Sequence, residues 1–285
     1  MTKDRRNTIL PLFMGMGFCF LFLTHSDCLY NAATASIKLL ITAVLPFLIP
    51  YAVLSSVIVS SLSLTNGKFA IIVALIIGNI CGAPIGAMQI SHLYKCGSIS
   101  KKEAGILLPA VSASSPAFCI NAVGGIMLHN RRFGLLIWII QVILNVTLVS
   151  AVLFKKGQIN SFPSQRIAQA LNASQIIGRT TSAVASVILS VIFFSSISAV
   201  LAEELKMSAV GKAIINAILE MSGGCDLASQ LDSPISFVIT AFSLGFCGIS
   251  VATQIFSCAD DIPKRNYVIT KLLCGGICAI AALLT

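Results

Sequence analysis

Long apolar runs alternate with short polar loops along the chain, and several runs carry helix breakers near their middles. Apolar residues dominate 9–24, 37–64, 69–93, 104–128, 133–154, 180–202, 211–231, 235–258 and 266–284. Runs of about 20 apolar residues match the length of a helix that crosses a bilayer. The period-two alternation of a membrane β-barrel does not occur. The pattern predicts an all-α, polytopic integral membrane protein, with residues 1–285 forming a single membrane domain.

The breakers sharpen this picture. The run 69–93 contains Gly82, Pro84 and Gly86, and the run 104–128 contains Ser112, Ser114, Ser115 and Pro116. In lipid, a freed backbone N–H or C=O costs several kcal/mol unless it is satisfied, so broken helices are buried in protein or line a polar cavity. Two kinked helices that merely pack closely are the plainer alternative. Pro46 and Pro50 interrupt 37–64, which reads as a kinked span or a re-entrant hairpin. Ser100 and Glu103 have the spacing of a helix capping box. Gln141 and Asn145 share one helix face, a pair suited to holding helices together. Residues 155–179 form a polar linker, in which Ile167, Leu171 and Ile176 hint at an amphipathic surface helix.

The end of the chain echoes its beginning. Lys38 to Pro46 aligns with Lys212 to Glu220, Cys81-Gly82 to Gln89-Ile90 with Cys247-Gly248 to Gln254-Ile255, and Ile99 to Lys102 with Ile262 to Arg265. The order and spacing point to a first repeat over 37–110 and a second over 211–285. An odd number of crossings separates their starts, so the repeats are expected to be inverted, with broken or re-entrant helices.

Composition agrees with the class. Only 10% of residues are charged against 56% hydrophobic, where soluble domains carry about 25% charged. The net charge of +9 sits in short loops, as topology signals and headgroup contacts do, and no basic domain exists for nucleic acid. Residues 1–6 are basic and precede an apolar run without a clean cleavage site, which reads as a first membrane helix with a cytoplasmic N-terminus. The ten cysteines lie mostly in apolar runs without a CxxC pair, so packing roles are expected and neither metal nor cofactor.

Glu220 is the sharpest candidate: a carboxylate well inside an apolar run, followed by Ser222, Gly223 and Gly224. An intramembrane acid marks a site by default, either for a coupling ion or for a solute; the plainer alternative is a carboxylate at a helix end in water or one that caps a broken-helix N-terminus. Asp226 is a weaker candidate of the same kind. The breaks add Gly82, Pro84, Gly86, Gln89, Ser114, Ser115, Pro116 and Asn121, and the C-terminal echo adds Gly248, Ser250, Thr253 and Gln254. These groups suit a small polar, neutral or weakly charged ligand. No nucleophile–base pair or nucleotide loop stands out, so an enzyme is not expected.

Several motifs together carry a family resemblance. Gly82-Ala83-Pro84-Ile85-Gly86-Ala87, followed by Leu93-Tyr94 and the loop Gly97 to Ala104, resembles the YlbJ-type sporulation integral membrane proteins. Ser114-Ser115-Pro116-Ala117-Phe118, Leu219-Glu220 with Gly223, and Gly248-Ile249-Ser250-Val251 with Gln254 continue it in order. Ala83, Met88 and Thr253 depart from it, standing where that family commonly has Tyr, Lys and His. The resemblance extends to the nucleoside-recognition Gate domain group, which is similar to the FeoB membrane domain and to concentrative nucleoside transporters. It implies inverted repeats, a transporter-like site and a role in endospore formation. Two functions follow as expectations: a permease with a site between the repeats in the cell membrane, as a monomer or oligomer, or a non-transporting scaffold of the spore envelope.

Overall fold

A computed structural model describes residues 3–62, 67–155 and 172–285. Thirteen α-helices and two π-helical stretches make up these residues, and they contain no strand. Four helices are long and apolar enough to cross a membrane: Ser26–Ile58, Ser174–Glu204, Ile235–Cys258 and Arg265–Leu283. The surface is correspondingly apolar. Leu23, Ile41, Ile76, Leu189, Phe193, Leu273 and Ile280 are exposed, whereas Glu220, Lys271, Gln141 and Asn145 are buried. This reverses the usual soluble arrangement and fits a protein surrounded by lipid.

The N-terminal part is a long antiparallel wall. α1 (Lys3–Thr24) leads into α2 (Ser26–Leu39), which continues through a π-helical stretch, Leu40–Val44, into α3 (Leu45–Leu62). The helix therefore begins well before the apolar run at 37, and it passes Pro46 and Pro50 without turning back. Pro46 cannot donate a hydrogen bond, and its ring crowds the carbonyl four residues earlier. That carbonyl belongs to Thr42, inside the wider π turn, a familiar way for a helix to absorb such a fault. α8 (Ala173–Glu204) packs along α2 and α3. Residues 156–171 of the expected linker, with Ile167 and Leu171, lie outside the described residues; Ile176 belongs to the first turns of α8.

Inside this wall the chain is broken repeatedly. α4 (Gly67–Cys81) gives way to α5 (Ala83–Lys95) at Gly82, whose φ is +94°. α6 (Lys101–Ala110) starts at the Ser100 capping box, with both reciprocal bonds formed at 2.7 and 3.3 Å. After α6 the chain leaves helical geometry over Ser112 to Ser115 before the second π-helical stretch, Ala117–Met127. α7 (Arg131–Lys155) packs back against that stretch so tightly that a Cβ on Gly134 would collide with the Cys119 carbonyl. α9 (Ala209–Leu219) and α10 (Met221–Ser229) fold back on each other with Glu220 at the tip. A Cβ on Gly224 would strike the backbone of Ala217. α11 (Ile235–Phe246) meets α12 (Gly248–Cys258) at Cys247 and Gly248, both left-handed at φ +71° and +75°. α13 (Arg265–Leu283) closes the chain against α11, through Gly245 and Gly275.

Two pairs of echoed positions behave alike. Cys81-Gly82 and Cys247-Gly248 each break a helix in two, and a helix opens within each of the echoed stretches 99–102 and 262–265, at Lys101 and, one residue later in the register, at Arg265. α5 and α12, the segments after the two breaks, share one core through Ala87, Ile90, Val251 and Ile255. The third pair differs: Pro46 lies in a continuous helix where Glu220 turns a hairpin.

Candidate functional site

The non-helical segment after α6 sits at the centre. Gly78, Gly82 and Gly86 are four residues apart and so line one face of the α4–α5 path. Val111 to Ser115 crosses that face. A Cβ on Gly78 would lie 2.6 Å from the Val111 Cβ, one on Gly86 would collide with the Val111 carbonyl, and one on Gly82 would lie 3.4 Å from the Ser115 nitrogen.

A buried segment outside any helix needs partners for its backbone, and these are present. Gln141 Oε1 accepts from the Ser114 N–H at 3.1 Å. Asn79 Nδ2 donates to the Ala110 carbonyl at 3.0 Å, and Asn145 Nδ2 donates to Asn79 Oδ1 at 2.9 Å. Trp138 Nε1 donates to the Asn79 carbonyl at 3.3 Å. Trp138, Gln141 and Asn145 occupy one face of α7, so that helix acts as a rail of hydrogen-bonding groups beside the break. The Ser114 hydroxyl donates to the Leu244 carbonyl at 3.0 Å and ties the segment to α11.

Two charged side chains are fully enclosed here, and neither is paired with the other. Glu220 is 1% exposed. Its Oε1 accepts from the Ser222 N–H at 3.0 Å, the Ser222 hydroxyl lies 2.8 Å from both oxygens, and Oε2 accepts from the Gly223 N–H at 2.5 Å. The carboxylate thus caps α10, whose N-terminal N–H groups and dipole favour a negative charge. Lys271, also 1% exposed, donates from Nζ to the Ser112 carbonyl, at the carbonyl-rich end of α6, where a positive charge is favoured. Each buried charge is satisfied by a broken helix end.

The breaks converge on one cavity of about 80 Å³, space for a few waters or a small solute group. Gly82 and Pro84 from the first break line it, with Ser114 and Ser115 from the non-helical segment, Glu220 and Ser222 from the hairpin tip, and Cys247 and Gln254 from the last break. Phe47, Val187 and Val191 close it on the side of α3 and α8.

Seven of the residues singled out from the sequence therefore meet: Gly82, Pro84, Ser114, Ser115, Glu220, Ser222 and Gln254. The others serve elsewhere. Gly86 lets Val111 approach, Gly223 supplies an N–H to Glu220, and Gly248 provides the left-handed break. Pro116 precedes the second π stretch, Asn121 is exposed, and Ser250 is buried without lining the cavity. Gln89 lines a separate space, described below. Asp226 lines another, of about 160 Å³, beside Ser36 and Asn216. Lys271 joins them as a buried group, and a lone lysine inside the run 266–284 carries the same sequence signal as Glu220.

No family model matches the chain, no curated protein resembles it closely enough to count as a relative, and no solved structure matches its fold.

Proposed function

We propose that this is a multi-pass cell-membrane protein of secondary-transporter type, whose central cavity holds a small polar solute or coupling ion. One observation carries the reading: four separate chain breaks, two at echoed positions, contribute to the wall of a single cavity. Broken helices that converge at mid-depth are how membrane transporters present polar backbone to a solute. The hairpin supports it too. α9 has 11 residues, a rise of about 16 Å or roughly half the hydrocarbon core, which suits a re-entrant element. We read 37–110 and 211–285 as inverted repeats on the same grounds. The role in endospore formation rests on the motif resemblance alone.

A scaffold without transport is the second reading, and the saturation of Glu220 favours it. Both carboxylate oxygens already have donors from Ser222 and Gly223, so a ligand must share or displace them. Thermal unfolding of wild type and Glu220→Gln, screened against Na⁺, nucleosides and amino acids, separates the two. A transporter gains stability from one of these by mass action, and the variant loses the gain. A scaffold gains from none, while Glu220→Gln still costs about 1–3 kcal/mol because an amide N–H₂ faces a donor at the cap.

A further inference from the structure

One helical turn along α8 from the central cavity lies a second space, of about 20 Å³. Ser55, Met88, Gln89, Arg179 and Thr180 line it. Met88, Arg179 and Ala183 are shared with a larger vestibule of about 340 Å³, which also takes in His92, Lys95 and Cys258.

Gln89 is 3% exposed, yet neither its amide nitrogen nor its oxygen has a hydrogen-bond partner, and the buried Thr180 hydroxyl beside it has none either. Leaving such groups unpaired is costly, so this wall is built for something that bonds to it. The surrounding charge says what. Among the described residues neither Arg179 nor Lys95 has a carboxylate partner, and Arg179 Nη1 lies 3.5 Å from His92 Nδ1. Among the described residues no acid lines either space, and Asp260 and Asp261, which follow α12, are exposed. An arginine without a carboxylate beside an unpaired amide N–H and a hydroxyl is a donor set for an anionic oxygen pair. The unpaired Gln89 oxygen also requires a donor from the ligand, and a hydroxyl next to the carboxylate supplies it. At about 20 Å³ the inner space takes one water-sized group, so only the ligand oxygen that meets Gln89 and Thr180 enters it, with the rest of the molecule toward Arg179 and the vestibule.

We propose that Gln89, Thr180 and Arg179 form a binding site for a small hydroxycarboxylate, separate from the central cavity. The same donors fit an anionic lipid headgroup, and the test separates the two sources. Purified protein in phosphatidylcholine nanodiscs is melted with lactate, propionate or lactamide at constant ionic strength, and alkylation of Cys258 by N-ethylmaleimide is followed by peptide mass spectrometry. Lactate is expected to raise the melting temperature saturably and to slow Cys258 alkylation several-fold. Propionate and lactamide do neither at the same concentrations, and Arg179→Gln and Gln89→Leu each abolish both effects. A response to lactamide or propionate equal to that of lactate, or no response to lactate, overturns the proposal. So does stabilisation by phosphatidylglycerol alone that Arg179→Gln removes, which makes the occupant a lipid. Glu220→Gln is expected to keep the lactate effect, so this site and the central one fail independently.

Discussion

Replacing Gly86 by alanine tests the packing that creates the central site. The added methyl points at the backbone of Val111 rather than at a flexible side chain, so α5 or the non-helical segment must shift. Overpacking a tight contact costs about 1–3 kcal/mol, and the upper end applies because backbone lies on both sides. Alanine in place of a helical glycine returns about 1 kcal/mol. The net expectation is a loss of about 2 kcal/mol, a fall in melting temperature of roughly 4–8 °C on soluble-protein scaling. Gly276 in α13 is the control, since nothing lies within 4 Å of a Cβ there. Gly276→Ala is expected to be neutral or stabilising by up to about 1 kcal/mol. Thermal unfolding of both variants in one detergent reads the difference. Equal melting temperatures, or a Gly86→Ala protein as stable as wild type, refute the close crossing of Val111 over the glycine face.

Gln141→Leu removes the acceptor for the buried Ser114 N–H and is expected to cost about 1–3 kcal/mol; unfolding in denaturant checks it, and an unchanged midpoint contradicts the rail on α7. Lys271→Met leaves the Ser112 carbonyl with only the Cys247 thiol, 3.8 Å away, and a loss of about 1–3 kcal/mol is expected after the relief of a buried charge. A Lys271→Met protein that melts above wild type shows that burying the charge outweighs its hydrogen bond.

Local breakers were the most legible part of the fold. Gly82 before Pro84 reads as a break because a left-handed glycine and an N-terminal proline are both cheap there and nowhere else in a helix. Ser100 and Glu103 read as a helix start for the same kind of local reason, and both are confirmed. Pro46 and Pro50 were ambiguous because the remedy, a π turn at Leu40–Val44, has no residue signature of its own. Glu220 read correctly as buried, but its partners could not be foreseen in full: Ser222 is near in sequence, while the cavity it faces depends on segments as distant as Gly82 and Gln254. Asn121 is exposed rather than in the site, and a polar residue beside a break looks the same in sequence whether the π stretch turns it inward or out. The partner of Lys271, the Ser112 carbonyl, lies on another segment and is invisible until the chain folds.

The way the two interior charges are neutralised has a mechanical consequence. The hairpin tip carries its own counterweight: the charge of Glu220 is answered within three residues by Ser222 and Gly223. Lys271 is answered on a different segment altogether. The contacts that join the tip to its surroundings are neutral ones, the Ser243 hydroxyl to the Met221 carbonyl at 3.0 Å and the Ser114 hydroxyl 3.2 Å from the Met221 sulfur. Among the described residues no ion pair joins the hairpin tip to the rest of the chain, so sliding it past α11 would exchange weak bonds without separating opposite charges in a medium where that separation is most expensive.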